Sequence, residues 1–279
     1  MKTRPLSGAL GAEITEIDIR RSDDAEFAEL QAVFTDRSII VIRDQDLTPE
    51  DHIAFARRWG EINVNRFFKP VDTHPEIATV LKEADQKLNI GGDWHTDHSY
   101  DAAPAMCSIL YAIETPPAGG DTLFCSMNAA YEACSDGMKA MFRSLSAWHS
   151  SRHAFGAHLK GEEAHSDGRL GNEAAATQDA LHPVVLAHPV NGRPCLYANS
   201  DFTTHFDGWT AAESAPLLKQ IEEIATRPEY TCRVAWAPGT VTMWDNRAVM
   251  HKAINDYHGH RRLMHRITIE GCALEAFGA

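Results

Sequence analysis

His95 and Asp97 stand two residues apart in Trp94-His95-Thr96-Asp97, and far downstream Trp244-Asp245-Asn246 is followed by His251. In an extended segment residues i and i+2 face the same side, so His95 and Asp97 can converge on one ion without a bend. With His251 as a third donor, two imidazoles and a carboxylate would cap one face of a metal ion. Its other positions would stay open, the arrangement that suits non-haem Fe(II) and O2. Zinc with a bound water, as in a hydrolase, could use the same donors. A His-x-Asp pair alone is a weak signal: the chain has 15 His and 39 acidic residues, and such a pair is more often a surface loop than a ligand set. His98 follows at once, but its side chain should point away from that of Asp97, and it is assigned no metal role.

A second chemical feature lies near the C-terminal end. From Arg262 to Ile269 the residues alternate, with Arg262, Met264, Arg266 and Thr268 on one face and Leu263, His265, Ile267 and Ile269 on the other. A solvated strand face is the plain alternative. Yet the strand starts soon after His251 and would return beside it, and the planar fork of arginine suits bidentate capture of a carboxylate. A buried carboxylate binder is the better reading.

Four ordered motifs now stand together: Trp94-His95-Thr96-Asp97, Gly119-Gly120-Asp121-Thr122, Trp244-Asp245-Asn246 with His251, and Arg262-Leu263-Met264-His265-Arg266. With them the chain resembles the taurine and aryloxyalkanoate (2,4-D) dioxygenase family, which depends on Fe(II) and 2-oxoglutarate. The likeness runs from Gly8-Ala9-Leu10-Gly11-Ala12-Glu13-Ile14 to Arg266, nearly the whole length. It implies that His95, Asp97 and His251 are iron ligands. It implies also that Thr122 and Arg262 hold the distal carboxylate of 2-oxoglutarate, and that Arg266 meets the anionic group of the prime substrate. The cofactors so implied are Fe(II), 2-oxoglutarate as cosubstrate, and O2. The reaction would couple decarboxylation of 2-oxoglutarate to succinate with hydroxylation of a substrate carbon, and a hydroxyl beside an ether oxygen or sulfonate would lead to cleavage. Asp97 fills the position that similar halogenases leave open for chloride, so hydroxylation is expected. A zinc hydrolase or a silent anion-binding relative leaves the Thr122 and Arg262 pair, or the complete ligand set, without a purpose.

The substrate pocket departs from part of that family. Taurine-specific members have a histidine and a tyrosine on the segment matching Asn65 and Phe68, and an asparagine in place of Gly91. All three differ here, which makes the pocket less polar and disfavours taurine, because buried polar groups decide which substrate groups can be satisfied. With Phe67, Phe68 and Phe202 as an apolar surround, the expected substrate is a small organic anion with an apolar or aromatic body, aryloxyalkanoate-like. An alkylsulfonate or alkyl sulfate is the alternative.

Composition agrees with a cytoplasmic enzyme. The net charge of -13 argues against binding a phosphate backbone, and no apolar run approaches the roughly 18 residues of a membrane span. The six cysteines show no Cys-x-x-Cys spacing, which predicts reduced structural thiols. At 279 residues a single domain, 1–279, is expected, as a homo-oligomer.

The elements that must position these residues are mostly strands: 38–42, 76–81, 105–111, 122–126, 230–236, 240–245 and 262–269, with a hairpin of 184–190 and 193–198 about Asn191-Gly192. Pro238-Gly239 joins two more. Helices are predicted after Thr48-Pro49-Glu50-Asp51, after the capping box Thr210-Ala211-Ala212-Glu213, and over Asp24 to Phe34. The fold expected is mainly β with flanking helices, a double-sheet jelly roll, or double-stranded β-helix, whose open mouth can house a metal. The glycine-rich segment 156–180 lacks periodicity and lies between the first two proposed ligands and the third, which favours a lid or mobile insertion.

Overall fold

The computed structural model describes residues 1–159, 165 and 167–278. Its largest sheet has nine strands, and its centre is the antiparallel array Ile39–Ile42, Val241–Asp245, Cys107–Glu114, Arg262–Ile269 and His74–Lys82. Facing it is a sheet of Thr231–Val234, Thr122–Ser126 and Val249–Ala253. One apolar cluster joins Leu110, Ala112 and Met264 of the first to Phe124, Val234 and Val249 of the second, so the core lies between the sheets. This is a mainly β jelly roll. Two smaller three-stranded sheets flank it, one of Asp179–Pro183, Ser146–Ser150 and Thr203–Phe206, the other of Pro194–Leu196, Val185–Ala187 and Glu275–Ala276.

Helices cover the outer face of the large sheet. Asp24–Arg37 begins at a capping box in which the Asp23 side chain accepts from Glu26 N, and it buries Phe27, Leu30 and Phe34. Pro49–Arg57 starts from a Thr48/Asp51 capping box with proline in the first turn, where its missing N–H has no intrahelical partner to lose. Both helices share a cluster with Ile40, Ile42, Ile109 and Ile267. Ala211–Ala225, capped by Thr210, packs Ile221 and Ile224 into the cluster between the sheets. All six cysteines are free thiols, five of them buried, and no helix of the described residues is long and apolar enough to cross a membrane.

Three local expectations change. Asn191-Gly192 does not form a two-residue turn: the paired strands are Val185–Ala187 and Pro194–Leu196. Gly192 has a positive φ and Asn191 does not, so the type I′ geometry is absent. Instead Asn191 Oδ1 accepts from Arg193 N at 3.1 Å while its amide donates to Thr35 O at 3.0 Å. Pro238-Gly239 links Thr231–Val234 to Val241–Asp245, which belong to different sheets, so this turn is a crossing between layers. The segment after His95 is not extended: a turn begins at Asp97, and His98 has φ 59°.

Candidate active site

His251 sits on Val249–Ala253, opposite Phe124 of the neighbouring strand. His95 joins it by an antiparallel bridge, with His95 N to His251 O at 3.1 Å and His251 N to His95 O at 2.7 Å. The chain then turns and brings Asp97 underneath. The atoms that His95, Asp97 and His251 could offer a metal all lie within 4.8 Å of one another, and all three residues are buried. His95 Nε2 is 3.7 Å from Asp97 Oδ1, and His251 Nε2 is 4.0 Å from Asp97 Oδ2.

The protonation states suit a metal. His95 Nδ1 faces the Asp93 carbonyl at 2.8 Å; donating there leaves the Nε2 lone pair toward Asp97 and His251. Burial, then the neighbouring His95, push His251 down to about 3, so its ring is neutral. Burial alone would raise the Asp97 carboxyl, but Arg266, His251, His95 and the Ser108 hydroxyl, which donates at 2.6 Å, outweigh it and hold Asp97 well below the carboxylate range. Two imidazoles and a carboxylate on one side of an open cavity fit a divalent transition metal with positions left for other ligands. His98 stands apart, with Nδ1 3.0 Å from Asp101 Oδ2 and Nε2 3.4 Å from Asn65 Nδ2.

The cavity above the triad has a volume of about 360 Å³. Thr122, Arg262 and Arg266 all line it. Arg262 is buried, its Nε and one terminal nitrogen have no hydrogen-bond partner, and burial pushes its pKa down. Such a cation is stabilised by an anion. Thr122 Oγ1 accepts from Trp236 Nε1 at 3.0 Å, which leaves the hydroxyl proton free to donate, and the Arg262 guanidinium lies 5.5 Å from the same indole ring. Trp236 thus ties the two together, a role with no sequence signal. Gly120, with φ 70°, gives Arg262 its room: a Cβ there would meet Arg262 Cδ at 3.3 Å.

Arg266 lies deeper. One terminal nitrogen is 3.4 Å from Asp97 Oδ1, Nε is unpartnered, and the guanidinium stands 4.3 Å over the Phe68 ring. Asn65 is a cavity residue whose polar atoms are already used: Oδ1 accepts from Phe67 N and Phe68 N, both at 2.9 Å. It fixes the bend that aims Phe68 at Arg266. Gly91 packs so close to His95 that a Cβ would sit 3.0 Å from His95 Cε1. Phe68 and Phe202 reach the cavity, whereas Phe67 is not among its lining residues and stacks on Phe155 at 4.2 Å.

Sequence reasoning missed several walls. His153, Phe155 and Asp201 line the cavity, as do Leu159, His165 and Leu170 of the 156–180 segment. That segment is seated by Gly171 N to Phe67 O at 3.0 Å and by a bridge between Phe68 and Leu170. Its residues 160–164 and 166 lie outside the described residues. Burial raises the Asp201 carboxyl, against the opposing influence of His95.

Comparison with known proteins places this arrangement. Residues 2–268 match the family described as "Taurine catabolism dioxygenase TauD, TfdA family". The (S)-phenoxypropionate/alpha-ketoglutarate-dioxygenase of Sphingobium herbicidovorans is 31% identical over 277 residues, covering 96% of this chain and 94% of that protein. The alkylsulfatase of Acinetobacter baylyi is 30% identical over 280 residues, covering 97% and 85%. The crystal structure of AAD-2 in complex with Mn(II) and N-oxalylglycine superposes with a TM-score of 0.80 at 27% identity, covering 97% of this chain and 98% of that one. The chain is a 2-oxoglutarate-dependent dioxygenase that uses Fe(II) and O2, and it belongs to the TauD/TfdA family.

Proposed function

We propose that this enzyme hydroxylates a small organic anion with an apolar or aromatic body, aryloxyalkanoate-like, with C–O cleavage following where the new hydroxyl adjoins an ether oxygen. The observation that carries the reading is one cavity that joins the donor triad, two buried arginines and walls of Phe68, Phe155, Leu159, Leu170 and Phe202. His95, Asp97 and His251 would hold Fe(II), which when bound activates O2 at the expense of 2-oxoglutarate. Thr122 and Arg262 would hold the distal carboxylate of 2-oxoglutarate by two charge-assisted or neutral hydrogen bonds. Arg266 would meet the substrate anion, held flat by Phe68, while Gly91 leaves space beside His95 and Asn65 keeps Phe68 in place. We read residues 1–279 as one domain in which 156–180 serves as a lid, since Leu159, His165 and Leu170 form part of the cavity wall.

An alkylsulfonate or alkyl sulfate is the second reading, favoured by the likeness to the Acinetobacter baylyi alkylsulfatase. A panel of aryloxyalkanoates, sulfonates and sulfates, scored by succinate release at saturating 2-oxoglutarate, separates the two. Apolar carboxylates should exceed taurine. Taurine giving the highest rate would overturn the substrate class and leave the iron chemistry standing. If neutral compounds win, Arg266 does not serve a substrate anion.

A further inference from the structure

We infer that Asp201 selects, among anionic substrates, those that carry an amine or hydroxyl donor away from the anionic group; this rests on the reading that Arg266 meets the anion. Asp201 stands at the Nδ1 edge of the His95 ring, and Arg266 lies beyond its Nε2 edge. Asp201 Oδ2 is 3.8 Å from His95 Nδ1, whereas Arg266 approaches Asp97 Oδ1 at 3.4 Å, beyond the Nε2 edge of the same imidazole. Both side chains line the one cavity, so a ligand over the triad has a cation near one end and a carboxyl near the other.

The Asp201 carboxyl is presented rigidly. Asn199 Oδ1 accepts from Phe202 N at 2.9 Å, Asn199 N donates to Thr203 Oγ1 at 3.0 Å, and Thr203 N donates to Asn199 O at 3.1 Å. This turn holds Asp201 at its apex with little ordering left for a ligand to impose. Yet the carboxyl has no hydrogen-bond donor among the described residues, since His95 Nδ1 is directed at the Asp93 carbonyl at 2.8 Å. Its side chain is 29% exposed, so a ligand N–H or O–H can take the place of solvent there and make a charge-assisted hydrogen bond. Asp93 also lines the cavity and adds charge of the same sign, which disfavours a second anion on the substrate. A purely structural role in steadying His95 is less well supported: 3.8 Å is too long for a hydrogen bond, and the ring already has a partner.

Matched pairs test this, each exchanging a donor for a methyl: para-aminophenoxyacetate against para-methylphenoxyacetate, taurine against propanesulfonate, and aminoethyl sulfate against propyl sulfate. Dissociation constants are measured anaerobically on the Fe(II) and 2-oxoglutarate complex, beside succinate release in air. Within the best-bound class, the amine should bind about tenfold more tightly than its methyl partner in the native enzyme. In Asp201→Leu that preference should fall to within about twofold, with the absorbance of the Fe(II) and 2-oxoglutarate complex unchanged. Asp201→Asn, a gentler change, should lower the ratio partway and keeps the test open if the leucine variant misfolds. No amine preference in any native pair overturns the inference. Equal weakening of both pair members in the variants overturns it too, and assigns Asp201 to the support of His95. A sulfonate or sulfate pair outperforming the carboxylate pair refutes the aryloxyalkanoate reading alone, because the ratio inside the winning class still reports on Asp201.

Discussion

The backbone of His95 and that of His251 exchange hydrogen bonds at 3.1 and 2.7 Å, which sets their imidazole centroids 4.1 Å apart. The main chain, rather than side-chain packing alone, therefore fixes the register of two donors from remote segments. Replacing any one of His95, Asp97 or His251 by Ala should abolish turnover while leaving the backbone bridge intact. Activity assayed with excess Fe(II), with circular dichroism to confirm folding, checks this, and unchanged activity in any of the three would sink the triad. His98→Ala should retain metal binding, because His98 engages Asp101 and Asn65 instead.

Arg262 is a buried cation with two unpartnered nitrogens. Arg262→Leu should weaken 2-oxoglutarate binding by about 2 to 5 kcal/mol, since it leaves a buried carboxylate without its charged partner. Thr122→Ala should cost less, about 1 kcal/mol for one neutral hydrogen bond. Titration of the anaerobic Fe(II) complex with 2-oxoglutarate gives both numbers. Native affinity in the leucine variant would mean that another residue holds the carboxylate.

Gly91 combines φ 76° with a Cβ position only 3.0 Å from His95 Cε1. Gly91→Ala should therefore suffer twice, through left-handed backbone strain of about 1 to 2 kcal/mol and through displacement of the His95 ring. The expected result is weaker Fe(II) binding, measured by calorimetry, with a modest fall in melting temperature. Native Fe(II) affinity would show that the ring has slack.

His52 points inward from the helix Pro49–Arg57, fully enclosed with neither ring nitrogen hydrogen-bonded, and burial, then the nearby His265, lower it from 6.5 to about 3. The unfolded chain thus binds a proton at this site more readily than the folded one. Stability from a neutral His52 is complete above about pH 6.5 and is lost as pH falls toward 3, by about 2 kcal/mol at pH 5. His52→Leu should remove this part of the acid sensitivity and narrow the difference in melting temperature between pH 7.5 and pH 5. An unchanged difference would mean that His52 is not the titrating group.

Much of the architecture was written in local chemistry. The capping boxes at Thr48 and Thr210 start helices because their side chains satisfy free amides within the same turn, and Arg262–Ile269 alternates because its two faces meet different surroundings, Met264 the core between the sheets and Ile267 and Ile269 the layer under the helices. The residue types of the site were likewise legible, since a metal and a carboxylate each demand particular donors. What tertiary structure alone decided is contact between segments remote in sequence. The His95 bridge to His251, the turn that carries Asp97 beneath them, the Trp236 link between Thr122 and Arg262, and the placement of Asp201 on the cavity wall depend on how two sheets stack. The N-terminal end shows the same limit: Lys2–Pro5, exposed along its length, joins the large sheet although it carries no apolar periodicity. Its strand form comes from backbone hydrogen bonds offered by the neighbouring Ala12–Thr15, and no local pattern of side chains encodes that offer.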